Sequence, residues 1–195
     1  MKLPLNCEAE YIPDFLTDDE SSELLEILIN DYQLDKARLC IEAGNQLIET
    51  DSIKILFVTE NLKASNSFPE NVHGRVYEWK GIFQKLREKV ENHCKNKFEI
   101  AMCIYYPDGS YFAPFHYDQT TSGHRTMIPS LSLGAQRKFI FKKNESNEEY
   151  SVDLSNGSLL LMKDYCQDRY THSLPKSTTC KTPRINITFR EVGFQ

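Results

Sequence analysis

From Phe98 onward, apolar residues recur at every second position in short segments that turn-forming residues separate. Alternation of this kind predicts strands with one buried face, because successive side chains of a strand point to opposite sides. The predicted strands are 128–133, 138–141, 150–154, 159–162 and 184–190. Segment 159–162 is uniformly apolar, which predicts a strand covered on both faces. Many short strands with turns between them predict a mainly β chain with a jelly-roll fold.

The first half of the chain has the periodicity of helices instead. Thr17 precedes three acidic residues, the last of them Glu20, which is the form of a capping box and predicts a helix over 18–32. A second stripe recurs at three- and four-residue steps and predicts a helix over 78–93. Its members are Trp79, Ile82, Phe83, Leu86 and Val90. We interpret Trp79 as a core residue that packs rather than binds a ligand.

Charge and cysteine content narrow the functional classes. The formal net charge of -5 argues against a strong sequence-independent grip on DNA, because that grip comes from Lys and Arg side chains that neutralise phosphates. The six cysteines form no C-x-x-C pair or other zinc spacing, and we interpret them as reduced thiols. No segment has the pattern of a signal peptide or of a membrane span. We expect a cytoplasmic monomer without a membrane partner.

His116 and Asp118 are separated by one residue, and on a strand two such side chains point to the same side. Taken alone, this pattern is more typical of a structural histidine than of a metal site. His172 follows about fifty residues downstream and offers a third ligand. Two histidines and one carboxylate with open coordination positions form the facial triad of non-haem iron oxygenases.

The last predicted strand, 184–190, alternates strictly between polar and apolar residues. Its polar face carries Arg184, Asn186, Thr188 and Arg190. One interpretation is an edge strand with a solvated polar face. The other is a sheltered site for a dicarboxylate co-substrate, because a guanidinium group suits bidentate carboxylate recognition.

Five segments in this order resemble the AlkB family of iron(II)- and 2-oxoglutarate-dependent dioxygenases. They are His116-Tyr117-Asp118 and the segments 128–135, 157–162, 172–175 and 183–190, of which the closing R-x-N-x-T-F-R motif is the most specific. The resemblance implies one α+β domain, mainly β, with a double-stranded β-helix core. That core would span about 98–195, and about 1–97 would form an N-terminal extension with helices and a substrate-covering lid.

The same resemblance implies a role for each site residue. His116, Asp118 and His172 would bind Fe(II), Arg184 would pair with the distal carboxylate of 2-oxoglutarate, Tyr106 would support that co-substrate, Asn186 would lie near its other carboxylate, and Arg190 would lie beside the iron as a catalytic and cofactor-binding residue. The family converts 2-oxoglutarate and O2 to succinate and carbon dioxide while it hydroxylates a C–H bond.

The chain departs from the family pattern at two places. Ile104 stands where family members usually have an asparagine, which removes one expected hydrogen bond to the co-substrate. The segment 119–122 reads Gln-Thr-Thr-Ser, where DNA-repairing relatives have an acidic residue that contacts the damaged base. His73, His93 and His124 have no partner pattern, and we interpret them as surface or loop residues.

Three functions follow as hypotheses. The first is oxidative demethylation of N-alkylated nucleobases in DNA or RNA, with alkylated single-stranded nucleic acid as the partner. The second is hydroxylation or demethylation of a protein side chain or small metabolite by the same chemistry, which the acidic net charge and the missing acidic residue favour. The third is a binding module that keeps the fold without catalysis.

Overall fold

Strands are the main regular element of the described chain, which comprises residues 1–43, 46–119 and 125–192 of a computed structural model. The strands are β1 (Ala9–Ile12), β2 (Arg38–Ala43), β3 (Gln46–Val58), β4 (Arg75–Glu78), β5 (Ile100–Tyr106), β6 (Ala113–His116), β7 (Ile128–Gly134), β8 (Arg137–Lys143), β9 (Glu149–Leu154), β10 (Leu159–Met162), β11 (Tyr170–Leu174) and β12 (Arg184–Arg190). The helices are α1 (Asp18–Asn30), α2 (Glu60–Ala64), α3 (Glu70–His73), α4 (Gly81–Cys94) and α5 (Cys166–Arg169), with a 3-10 turn at Leu34–Lys36.

The strands form two sheets that pack face to face, which confirms the predicted jelly roll. The larger sheet has the order β1-β10-β7-β12-β5-β3-β2, with β4 beside β3, and the smaller sheet has the order β6-β11-β8-β9. Apolar side chains from both sheets, among them Phe141 of β8 and Leu160 of β10, share one core cluster. The space between the sheets is therefore a sheltered interior.

The predicted strand positions agree with the structure to within one or two residues. All four residues of β10 are buried, as the uniformly apolar segment predicts. Strand β12 lies between β5 and β7, so the edge-strand interpretation is wrong. Its apolar residues Ile185, Ile187 and Phe189 pack in the core beneath α1 and α4. Its polar residues therefore face the interior between the sheets.

The N-terminal part of the chain also extends the larger sheet. Strand β1 pairs with β10, and β3 pairs with β5. β1 has only four residues with an alternating burial pattern, which is too short a segment for periodicity to identify. Covering helices and sheet strands thus come from the same N-terminal segment.

Helix α4 begins at Gly81 rather than at position 78, because Glu78 ends β4. Trp79 lies between the two elements, where its indole Nε1 donates a hydrogen bond 3.1 Å long to the Glu99 carbonyl oxygen. Its ring stacks on Phe57, and only 8% of its surface is exposed. The prediction of a core role is confirmed. None of the helices in the described segments has the length and apolar content needed to cross a membrane.

Helix α1 begins with the predicted capping box. The Thr17 hydroxyl accepts a hydrogen bond from the Glu20 amide, and the Glu20 carboxylate accepts one from the Thr17 amide. We expect Thr17→Ala to lower the free energy of unfolding by about 1 kcal/mol, because the Glu20 amide loses its hydrogen-bond partner. Urea unfolding measures this change. Thr59→Ala is a matched control, since Thr59 caps α2 without a side-chain hydrogen bond, and an equal loss there would contradict the capping explanation.

Candidate active site

The structure brings His116, Asp118 and His172 together between the sheets. One candidate ligand atom from each lies within 4.8 Å of the others. His116 ends β6 and is the register partner of His172 on β11, with 4.4 Å between the ring centroids. Nε2 of His172 lies 3.6 Å from Oδ2 of Asp118. Residues that are distant in sequence thus form the cluster expected from the facial-triad pattern.

Asp118 reaches this cluster from beyond the end of a strand. Strand β6 stops at His116, so the rule that alternate strand residues share a face does not by itself place the carboxylate. The Asp118 amide instead donates a 2.8 Å hydrogen bond to Oε1 of Gln167, and Nη2 of Arg190 donates a 2.5 Å hydrogen bond to its carboxylate. Gln167 is a positioning residue that no sequence pattern indicated.

Both imidazole rings can present a nitrogen to a metal ion. Nδ1 of His116 lies 2.7 Å from the Pro114 carbonyl oxygen. A carbonyl oxygen can only accept a hydrogen bond, so Nδ1 carries the proton and Nε2 keeps its lone pair. Such a hydrogen bond on the far ring nitrogen is typical of metal-binding histidines. The two histidines and the carboxylate therefore suit a divalent cation such as iron.

Burial decides the protonation state of His172, and the neighbouring Arg190 decides that of Asp118. Removal from water lowers the pKa of His172 to about 4, although Asp118 opposes this change. Burial alone would raise the pKa of Asp118, but the positive charge of Arg190 and its hydrogen bond to the carboxylate outweigh that effect and lower it. A neutral imidazole and an ionised carboxylate are the forms that bind metals.

We expect the metal-free protein to lose stability as the pH falls from 6.5 toward 4. Between these values the unfolded chain protonates His172, whose ordinary pKa is 6.5, and the folded chain does not. The free energy of unfolding therefore rises with pH across this window, by on the order of 3 kcal/mol in total. Urea unfolding of chelator-treated protein at several pH values tests this. His172→Asn should flatten the slope, and an unchanged slope would exclude His172 as its source.

Arg184 is a buried cation without a buried counter-ion among the described residues. Only 2% of its surface is exposed, and its Nε has no hydrogen-bond partner. Its Nη2 donates hydrogen bonds to Ser132 Oγ at 3.0 Å and to Asn186 Oδ1 at 3.1 Å. Desolvation lowers the pKa of Arg184 to about 10. An unpaired guanidinium in such a place is suited to receive a ligand carboxylate.

All seven predicted site residues line one cavity of about 220 Å³: Tyr106, His116, Asp118, His172, Arg184, Asn186 and Arg190. The guanidinium of Arg184 lies 5.5 Å from the centre of the Tyr106 ring. Ile104 lines the same cavity and offers no amide there, in agreement with the departure noted in the sequence. The second departure is the segment 119–122 that lacks an acidic residue. Its positions 120–122, and His124, lie outside the described residues. One cavity is thus lined by both the three-ligand cluster and Arg184, a cation with no carboxylate partner among the described residues.

Arg137 is a second residue that sequence patterns missed. It is 2% exposed and donates hydrogen bonds to the carbonyl oxygens of Asp108, Tyr111 and Pro175. These bonds tie together the loops before β6 and after β11, the strands that carry the two histidines. Its effect on the site is therefore one of positioning. A lone arginine directly before a predicted strand gives no local signal of this role.

Comparison with known proteins identifies the family. The family model described as "2OG-Fe(II) oxygenase superfamily" matches residues 8–190 of the chain. The chain belongs to this superfamily. Members use Fe(II), 2-oxoglutarate and O2. The cavity contains candidate ligands for the metal, the His-Asp-His cluster, and a candidate partner for a carboxylate, Arg184.

Within the superfamily, the chain is AlkB-like. The alpha-ketoglutarate-dependent dioxygenase alkB homolog 3 of Mus musculus is 32% identical over 124 residues, which are 58% of this chain and 43% of that protein. The DNA oxidative demethylase ALKBH2 of Mus musculus is 28% identical over 123 residues, or 58% of this chain and 52% of that protein. This superfamily member thus spans about half the length of these relatives.

A solved structure supports the fold assignment independently. The structure of OsALKBH1 has a TM-score of 0.63 with this chain and covers 97% of it, while the chain covers all of that structure. The sequences are 15% identical, so this likeness concerns the fold alone. The two proteins therefore share an overall fold over nearly the whole of this chain.

Proposed function

We propose that the chain is an Fe(II)- and 2-oxoglutarate-dependent dioxygenase that demethylates N-alkylated nucleobases in DNA or RNA. The observation that carries the chemistry is the single cavity shared by the His-Asp-His cluster and the unpaired Arg184 guanidinium. Similarity to a protein named DNA oxidative demethylase favours a nucleobase as the substrate.

His116, Asp118 and His172 would hold the iron, and Arg184 would bind the distal carboxylate of 2-oxoglutarate. When bound, the iron and its co-substrate supply the oxidising equivalent that hydroxylates a C–H bond. An N-methyl group, 2-oxoglutarate and O2 then yield an N–H group, formaldehyde, succinate and carbon dioxide. This balance conserves every atom.

The side chains of the chain itself orient these partners and exclude water. Asn186 accepts hydrogen bonds from Ser130 and Arg184, which fixes the amide beside the co-substrate position. Arg190 donates a hydrogen bond to the Asp118 carboxylate and keeps it ionised. A preorganised shell of this kind lowers the cost of binding the metal and the diacid in the correct geometry.

The second candidate is a dioxygenase of a protein side chain or small metabolite. Two observations favour it: the net charge is -5, and Gln119 stands directly after Asp118 in place of an acidic base contact. Neither observation changes the expected iron chemistry. They concern only the substrate.

Demethylation of single-stranded oligonucleotides tests the proposal. Each oligonucleotide carries one N-methylated base, and formaldehyde and succinate are measured with iron, 2-oxoglutarate and oxygen. We expect both products in equal amounts, and neither from His116→Ala protein. Succinate without formaldehyde from any methylated base would favour the second candidate. No succinate from metal-loaded protein, even uncoupled from substrate, would favour a binding module.

A further inference from the structure

The cavity of about 220 Å³ that the His-Asp-His cluster lines is called the iron cavity below. A second cavity, of about 320 Å³, adjoins it and shares the lining residues Met102 and Arg190. Its lining residues are Lys54, Leu56, Ser67, Phe68, His73, Ile100, Met102, Gln119 and Arg190. Met102 lies on β5 opposite Leu56 of β3, on the interior face of the larger sheet. A substrate in this cavity would thus lie next to the metal position without occupying the co-substrate site.

One side of this second cavity is lined by residues of the segment that contains α2 and α3. Phe68 lies between these helices and contacts His73 edge to face, with 5.2 Å between the ring centroids. His73 is half-buried at the end of α3 and packs against Phe68, a contact that the sequence did not indicate. The aromatic pair lines the cavity together with Leu56 and Ile100, against whose cluster Phe68 packs. Aromatic and apolar lining of this kind suits a planar ring.

Lys54 gives the second cavity its charge. Its ammonium group has no hydrogen-bond or ion-pair partner among the described residues, whereas the other cation, Arg190, is engaged by Asp118. Burial lowers the pKa of Lys54, with no neighbouring carboxylate to offset the loss of water. No carboxylate lines this cavity within the described part of the chain. The cavity therefore offers a hydrogen-bond donor and lacks a counter-charge for a cation.

Resting on the proposed function, we infer that the second cavity holds the target base and that Lys54 selects neutral N-methylated bases with a ring carbonyl over cationic ones. A carbonyl oxygen can accept a hydrogen bond from the ammonium group and satisfy it. A positively charged base would face a like charge in a half-buried site, where repulsion is stronger than in water. The same feature thus attracts one class of base and rejects the other.

Two methylated pyrimidines represent the neutral and the cationic class of base and otherwise differ little from each other. 3-Methyluracil and 3-methylcytosine carry the methyl group at the same ring nitrogen. At position 4, 3-methyluracil has a carbonyl oxygen and is neutral, whereas 3-methylcytosine has an amino group and is a cation at neutral pH. A difference in their turnover therefore reports on charge and on the position-4 contact.

The experiment compares kcat/KM for formaldehyde release from two oligonucleotides of the same sequence, one with each base. We expect the native protein to prefer 3-methyluracil by about tenfold or more, the usual scale for a hydrogen bond to a charged group. Lys54→Gln should bring the ratio close to one, and Lys54→Glu should reverse it. Lys85→Gln, an exposed lysine on α4, should keep the native ratio.

Equilibrium binding of the same oligonucleotides without oxygen gives a second readout, which should follow the same order and the same Lys54 effects. A native preference for 3-methylcytosine, or a ratio that Lys54→Gln leaves unchanged while demethylation continues, would overturn the role of Lys54 and leave the proposed function standing. Release of formaldehyde from no methylated base would remove the proposed function and the inference together.

Discussion

His116→Ala is expected to lower iron-dependent succinate formation by more than about a hundredfold and to leave the fold intact. Loss of a partner outside the ligand set typically costs ten- to a hundredfold in metal affinity or activity, so loss of a ligand should cost more. His116 is exposed at the end of β6, so removal of its ring leaves no buried void. Metal content and succinate yield measure the effect, and thermal unfolding verifies the fold.

The matched control for this variant is His93→Ala. His93 is an exposed histidine on α4, outside the residues that line the iron cavity. It should keep both the native metal content and the native succinate yield. Native activity in His116→Ala would show that the cluster between the sheets is not the metal site.

Arg184→Met should raise the KM for 2-oxoglutarate by at least about thirtyfold. Removing one member of a buried charge pair costs roughly 2–5 kcal/mol, because the remaining charge is left unpaired. Here the remaining charge would be the distal carboxylate of the co-substrate that we propose Arg184 binds. The metal content should not change, since Arg184 is not part of the three-ligand cluster. Initial rates over a range of 2-oxoglutarate concentrations measure the change.

The thermal stability of Arg184→Met distinguishes a binding role of Arg184 from a structural one. Methionine removes a desolvated guanidinium that has no carboxylate partner among the described residues, so the thermal midpoint should not fall. Arg184→Lys should recover part of the affinity, because it keeps the charge but loses the bidentate geometry. Lys138→Met, on an exposed side chain of β8, should leave the KM unchanged. A normal KM in Arg184→Met would place the co-substrate elsewhere.

The polar face of β12 could be predicted from sequence because strict alternation over seven residues determines which side chains share a face. Periodicity could not determine whether that face meets water or the interior. That depends on the neighbouring strands β5 and β7, which pair with β12 across long sequence separations. The specific R-x-N-x-T-F-R motif supplied the correct answer through resemblance.

Residues that act through a single long-range contact could not be predicted. Gln167 positions Asp118, which lies 49 residues away in sequence. Lys54 lines the second cavity only because β3 pairs with β5. Neither residue belongs to a repeating pattern. Trp79 shows the opposite error: its apolar spacing continues the helical stripe of α4, although the backbone there still connects β4 to the helix.

A crystal structure grown without oxygen, with Mn(II) as a redox-stable substitute for iron and with 2-oxoglutarate, measures the central geometry directly. We expect one metal ion bound by His116, Asp118 and His172, and one diacid whose distal carboxylate is paired with Arg184. A metal ion bound elsewhere, or a diacid that leaves Arg184 without a carboxylate partner, would contradict the assignment of this cavity as the active site.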